Sequence, residues 1–299
     1  MTATASQTVA HNVKSDEHAK FLELLFQRIG QISSLPSVAS RILQVADNEE
    51  STSEDLLNVV VQDPVLSIRI LKTVNSSYYS LNNEIADLQT AISMLGFVEV
   101  RKLAMTVYVA RMCEESTSYR DFSREGLWEH MVVVGTIARL ISTTLGKGEP
   151  EEAYLGGLLH DIGLLLIDQY MHDQLCHIID LVADGTETTE AEREILTFDH
   201  TDLGTYIAHQ SNLPDRVTAA IQYHHRPEDY EGEDRCLLDI ITLANHLASD
   251  KNFTSLGIQN ISAPDEALYE SLGLEEEQKT AIFDELDAAL ESAQVLAKI

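Results

Sequence analysis

From residue 17 onward, apolar residues recur three and four positions apart, and no segment alternates apolar and polar over the length of a strand. That period belongs to the α-helix, where positions i, i+3, i+4 and i+7 share a face. Phe21, Leu22, Leu25 and Ile29 fall on one such face. Val38, Ile42, Leu43 and Val45 fall on another, behind Pro36 at a first helical position. Asp63 is placed to cap the helix opened by Pro64, whose buried stripe is Leu66, Ile70, Leu71 and Val74. Two helices are expected to meet around Gly96, and others to cover 126–145, 150–170, 171–183, 188–209, 214–225 and 234–250. In the tail, Ile282, Leu286, Leu290 and Ala293 line an amphipathic helix expected to pack on the domain. The expected class is all-α: a multi-helix bundle with an N-terminal helical subdomain.

Four segments are expected: a frayed lead-in over 1–16, a helical half over 17–116, a second helical half over 117–252, and an acidic helical extension over 253–299. The balance of 20 basic against 49 acidic residues gives a formal charge of −29. Such a chain lacks the cations that displace counterions from nucleic-acid phosphates, so nucleic acid is not an expected partner. A local pocket for a small anionic ligand stays compatible with that charge. The three cysteines, Cys113, Cys176 and Cys236, are far apart and form no CxxC, as in a reducing cytoplasm. The first twenty residues hold no continuous apolar core of a signal peptide, and no apolar run reaches membrane-spanning length. A cytoplasmic protein without membrane insertion is the expectation.

The run LGGLLHDIGLLLIDQY (155–170) sets a histidine beside an aspartate in the most apolar part of the chain. Burying ionisable groups is costly unless partners or a metal compensate them. Of the eleven histidines, His11, His18, His172 and His177 lie in polar contexts and read as surface residues. Most of the others fall in helical, apolar surroundings: His130, His160 beside Asp161, His200 behind Asp199, His224 and His225 at a helix end, and His246 beside Asn245. Any one of them reads as an ordinary satisfied histidine. Together, imidazoles and a carboxylate projected inward from separate helices are a donor set for a divalent transition metal. On one helix, His160 and Asp161 would stand about 100° apart and could border a common site.

This order, a lone His, then HD, then further His and a late position on a helix, resembles the HD metal-dependent phosphohydrolase superfamily. More closely, the chain resembles the HDOD family, the HD-related output domain of bacterial signalling proteins. The resemblance rests on the LP opening at 35–36, DPVLSIRIL at 63–71, NSSYY at 75–79 and AISMLG at 91–96. In the second half it rests on GLLHDIG, HTDLG and LPDRVTAAIQYHHRPE, and it covers roughly 20–250. It implies an HD-like bundle, with metal ligands at His130, His160 and Asp161 and an aspartate where this chain has Asn245. His200, His224 and His225 would complete the set. Asn75, Ser76 and Ser77 either cap a helix or line a partner-reading surface.

Two departures bear on function. Asn245 offers a carbonyl oxygen but no charge, which leaves Asp161 the sole carboxylate among these ligands and argues against a full two-ion centre. One divalent ion of iron, zinc or manganese type is compatible. The HD-GYP branch, which hydrolyses cyclic di-GMP, shows HDIGK and a downstream GYP; here Leu164 replaces the lysine and HHRPEDYEGED follows without GYP. The resemblance therefore implies first a signalling module that works through protein partners, with the cluster vestigial, structural or ligand-sensing. A phosphohydrolase acting on a nucleotide or cyclic nucleotide is the alternative, and a metal or redox sensor the third reading.

Overall fold

The computed structural model describes residues 24–29, 38, 41–42, 44–45, 48, 50–75, 85–114, 117–259 and 266–297. His11, His18, Phe21, Leu22, Pro36, Leu43, Ser76 and Ser77 lie outside the described residues. The chain divides into two units, Met1–Ser34 and Leu35–Ile299. In the first, residues 24–29 are helical, with Phe26 and Ile29 buried.

The second unit is all-α. Among its described residues are α1 (Ser53–Val60), α2 (Pro64–Val74), α3 (Leu88–Met112), α4 (Arg124–Leu145), α5 (Pro150–Leu159), α6 (Ile162–Tyr170) and α7 (His172–Ala183). They continue as α8 (Thr188–Leu196), α9 (His200–Gln210), α10 (Asp215–Tyr223), α11 (Cys236–Asp250), α12 (Glu266–Leu272) and α13 (Glu276–Ala297). Among the described residues the strands are few and short: Ser118–Tyr119 and Phe122–Ser123 pair as a two-residue antiparallel ribbon before α4.

The first three helices follow the local chemistry of the sequence. Thr52 and Asp55 form a reciprocal capping box at the start of α1. The α3 span breaks at Gly96, whose φ of 75° and ψ of 171° lie outside the helical region. Asp63 caps α2 by accepting the Leu66 amide at 3.0 Å, and it also accepts both arms of the Arg111 guanidinium at 2.8 and 3.0 Å and the Tyr108 hydroxyl at 3.0 Å. One carboxylate thus fastens α2 to the end of α3. Asn75 is a structural clamp: its side-chain amide donates to Leu71 O and Ile85 O and accepts the Ile85 amide, each at 2.8 Å, so it ties the end of α2 to Ile85.

The Asp63 network has a pH signature. Hydrogen bonds from Arg111, against the opposing effect of burial, hold the Asp63 carboxyl well below its ordinary 3.8. A depressed folded-state value means the stabilisation is complete above the unfolded value and is lost as pH falls toward the folded one. Asp63→Asn is therefore expected to cost about 1–2 kcal/mol near neutrality, the pair being partly screened by solvent. In urea unfolding series, the gap between wild type and variant should narrow below about pH 4. A gap unchanged down to the acid transition would show that the charge plays no part.

The second half is built around α4, which packs on α5, α11 and α13. Helices α4 and α5 touch through glycine: a β-carbon on Gly157 would lie 2.6 Å from the Gly135 Cα. The tail helix lies on this bundle as its pattern indicated, with Ile282, Leu286 and Ala293 buried and Leu290 half-buried. Trp128 Nε1 donates to the Ala297 carbonyl at 2.9 Å, and Lys147 Nζ donates to the Leu272 carbonyl at 2.6 Å. The expected single helices over 150–170 and 188–209 are each two: α5 and α6 are separated by His160 and Asp161, and α8 and α9 by 197–199, where Thr197 takes a left-handed conformation that ends α8 and Asp199 caps α9. Asp161, with φ −100° and ψ 16°, turns the chain between α5 and α6. No helix of the described residues is long and apolar enough to cross a membrane.

Candidate metal centre

Four elements bring their imidazoles to one carboxylate. His130 comes from the second turn of α4, and His160 from the end of α5. His200 opens α9, and His224 closes α10. Asp161 stands between them. Its Oδ2 lies 3.4 Å from His130 Nε2 and 3.3 Å from His160 Nε2. Its Oδ1 lies 3.3 Å from His200 Nε2 and 3.6 Å from His224 Nε2. The five side chains belong to residues between 0 and 3% exposed. His225, half-buried, stacks near His224 with ring centroids 4.3 Å apart and joins the His200 side.

Each buried imidazole is oriented from behind. His130 Nδ1–H donates to Phe253 O at 2.8 Å, His160 Nδ1–H to Gly157 O at 2.7 Å, and His224 Nδ1–H to Ile221 O at 3.0 Å. A carbonyl only accepts, so these contacts fix the proton on Nδ1 and turn Nε2 inward. His200 is held by a carboxylate instead: Glu192 Oε2 accepts its Nδ1–H at 2.7 Å and its backbone amide at 3.0 Å. The result is two facing nitrogen pairs, His130 and His160 at 3.2 Å and His200 and His224 at 3.4 Å, each pair beside one oxygen of Asp161. Two inward lone pairs at that spacing repel unless a proton or a cation stands between them.

The titration behaviour follows from this enclosure. Burial holds the His160 imidazole down at about 4, so it is neutral. Burial likewise holds His225 well below the usual imidazole value, with His224 and His200 adding to the effect. Burial works to lower His200 too, but the Glu192 charge carries it up to about 10. Asp161 stays well below the usual carboxylate range because the imidazoles, His160 foremost, outweigh its burial. The His200 imidazole thus stands between the carboxylates of Glu192 and Asp161.

The donor set fits a divalent cation. Imidazole nitrogens and one carboxylate converge in each of two groups, His130, His160 and Asp161 in one and Asp161, His200, His224 and His225 in the other. Among the buried polar atoms of the described residues that have no hydrogen-bond partner are Asn245 Oδ1 on α11, the helix packed against that of His130, and Glu192 Oε1. Glu192 is the residue that sequence reading passed over. It sits in TTEAEREIL, which reads as a solvated face, yet it is wholly buried. Carboxylates behind ligating histidines raise their basicity and fix their direction, so Glu192→Ala is expected to weaken cation binding about 10–100-fold while helical content is kept. Competition titration with a chromogenic chelator measures this; unchanged affinity would remove Glu192 from the site.

His172 does not lie free on the surface as expected. It donates from Nδ1 to the buried Asp168 at 2.7 Å. His246 pairs with Asp250 at 3.1 Å and takes no part in the cluster.

Residues 32–227 match the HDOD domain family. Among curated proteins, an uncharacterised protein of Treponema pallidum is 24% identical over 228 residues, 76% of this chain and 44% of that protein. The uncharacterised protein YuxH of Bacillus subtilis is 26% identical over 144 residues, 46% of this chain and 32% of that one. The chain therefore spans less than half the length of these relatives. Among solved structures, an HDOD domain protein from Geobacter sulfurreducens superposes with a TM-score of 0.74 at 22% identity, over 88% of this chain and 91% of that one. A candidate signal transduction protein from Marinobacter aquaeolei gives 0.73 at 25%, over 88% and 58%. A candidate phosphohydrolase from Shewanella amazonensis gives 0.66 at 24%, over 92% and 97%.

Proposed function

The chain belongs to the HDOD domain family, and from that premise we propose that it is a regulatory module of bacterial signal transduction. It acts by contacting other signalling proteins, and its Asp161-centred cluster holds a divalent cation without turnover. The observation that carries this reading is the enclosure of the cluster. The facing imidazoles and Asp161 are almost fully buried, and Leu164, where an HD-GYP enzyme has its phosphate-facing lysine, is 1% exposed and packed in the core. His130, His160 and Asp161 would hold a cation on one side, with His200, His224 and His225 on the other side of the same carboxylate. Such an ion supplies positive charge and Lewis acidity, and an iron ion adds redox sensitivity. The residues themselves orient the donors, exclude water and place the Nε2 atoms. Cation uptake at His200 would displace its Nε2 proton.

A second reading, metal-dependent phosphohydrolase, is supported by the sharing of Asp161 between two donor groups, the arrangement of a two-ion clamp. The Shewanella protein described as a candidate phosphohydrolase has the same fold. Against it stands the charge: Asn245 is neutral, and the nearest further carboxylate, Glu192, lies behind His200 rather than on the inner side. A phosphoester screen on manganese- or iron-loaded protein separates the two. The signalling reading expects no turnover beyond that of the His160→Ala, Asp161→Ala double variant. Metal-dependent hydrolysis lost in that variant would put the enzyme reading first.

A further inference from the structure

Where α6 meets α7, a second constellation stands outside the histidine cluster. Asp168, in the last turn of α6 and 1% exposed, accepts Nε–H of Arg124 at 2.5 Å and the Thr117 hydroxyl at 2.8 Å. It also accepts Nδ1–H of His172 at 2.7 Å. That last bond leaves Nε2 of His172 as the accepting nitrogen, and the Cys176 thiol is the donor that meets it. One turn along α7, Cys176 Sγ lies 3.7 Å from it. The His172 side chain is 34% exposed and Cys176 is half-buried, so the pair is open to solvent on one side and anchored by a buried carboxylate on the other.

The spacing is that of two ligands on one ion. Zinc bonds of about 2.0–2.1 Å to nitrogen and about 2.3 Å to sulfur, opened at a tetrahedral angle, put the two donors about 3.6 Å apart. A carboxylate accepting the other ring nitrogen is the usual support of a ligating histidine. We propose that His172 Nε2 and Cys176 Sγ form a chelate for a thiophilic divalent cation of the zinc class, separate from the Asp161 cluster, with Asp168 as its positioning residue. Water is available for the remaining positions, since the pair faces solvent on one side. The site differs from the central cluster in kind, because it adds sulfur to nitrogen and oxygen and so favours softer ions.

Binding here exchanges a proton for the ion: Cys–SH and M²⁺ give Cys–S⁻–M²⁺ and H⁺, with no change of oxidation state. Affinity should therefore fall as pH falls.

Cobalt(II) added to the full chain tests this, because only a thiolate ligand gives a sulfur-to-cobalt charge-transfer band and the Asp161 cluster contains no sulfur. Wild type is expected to show the band at one equivalent and to lose it on adding zinc. Cys176→Ser should abolish the band, and His172→Ala should weaken cobalt binding at that band at least about tenfold. Both variants should keep the wild-type circular dichroism, since neither residue is in the core. The His160→Ala, Asp161→Ala double variant should retain the band, which separates this site from the central one. No band in wild type, a band surviving Cys176→Ser, or equal affinity after His172→Ala would each overturn the assignment.

Discussion

Asp161→Ala is expected to destabilise the metal-free protein by about 3–5 kcal/mol and to abolish cation binding at the central cluster. Asp161 is the anion on which four inward imidazole nitrogens converge at 3.3–3.6 Å. The charge on His200, raised to about 10 by Glu192, loses its inner partner. A buried charge left without its partner costs more than the intact pair contributes. Urea unfolding in the presence of chelator measures the effect. A variant more stable than wild type would show the opposite balance, in which the empty cluster is a strained donor set relieved by losing a charge.

Gly163→Ala is expected to be as damaging, for a reason of geometry alone. A β-carbon at residue 163 would lie 1.9 Å from the His200 carbonyl oxygen, 2.8 Å from the His200 carbonyl carbon and 2.9 Å from the Gly204 amide nitrogen. Those are backbone atoms, which no rotamer change can move away. Helices α6 and α9 must therefore separate, at a cost at or above the upper end of the roughly 1–3 kcal/mol usual for overpacking. The displaced element carries His200, so cation affinity should fall with stability. Gly156→Ala is the control: its β-carbon meets Ile241 Cδ1, the end of a flexible side chain, at 2.3 Å. Thermal melts that rank the two variants equally would contradict this account of the glycine in HDIG.

The helices were legible because apolar residues at three- and four-residue steps have one structural solution, and the cap at Asp63 carried its usual signal. The cluster was legible as a set of residue types: His130, His160, Asp161, His200, His224 and His225 do come together. Asn245 lies on the helix beside them with an unpaired buried oxygen. What the pattern did not reveal was arrangement. The run around 155–170 is apolar on every side, so nothing in its period marks the break at His160 and Asp161. That break, rather than a shared helical face, is what turns Asp161 toward both histidine pairs. Glu192 was hidden because a buried glutamate in a polar helix has the same neighbours in sequence as a solvated one. Asp168 did leave a signal, an acid closing an apolar run, and His172 four residues on is its partner. Such long-range pairings depend on how helices pack, and local sequence does not encode that.

Elemental analysis tests the central claim most directly, on untagged protein purified without chelator, beside the His160→Ala, Asp161→Ala double variant refolded and checked by circular dichroism. Near-stoichiometric iron, zinc or manganese in wild type, lost from the central site in the variant, is the result predicted by a cluster whose imidazoles are locked with Nε2 inward on Asp161. A wild-type protein that carries no metal and takes up none of these ions when they are added would contradict it. The six residues would then be a hydrogen-bonded core, balanced by the proton on His200.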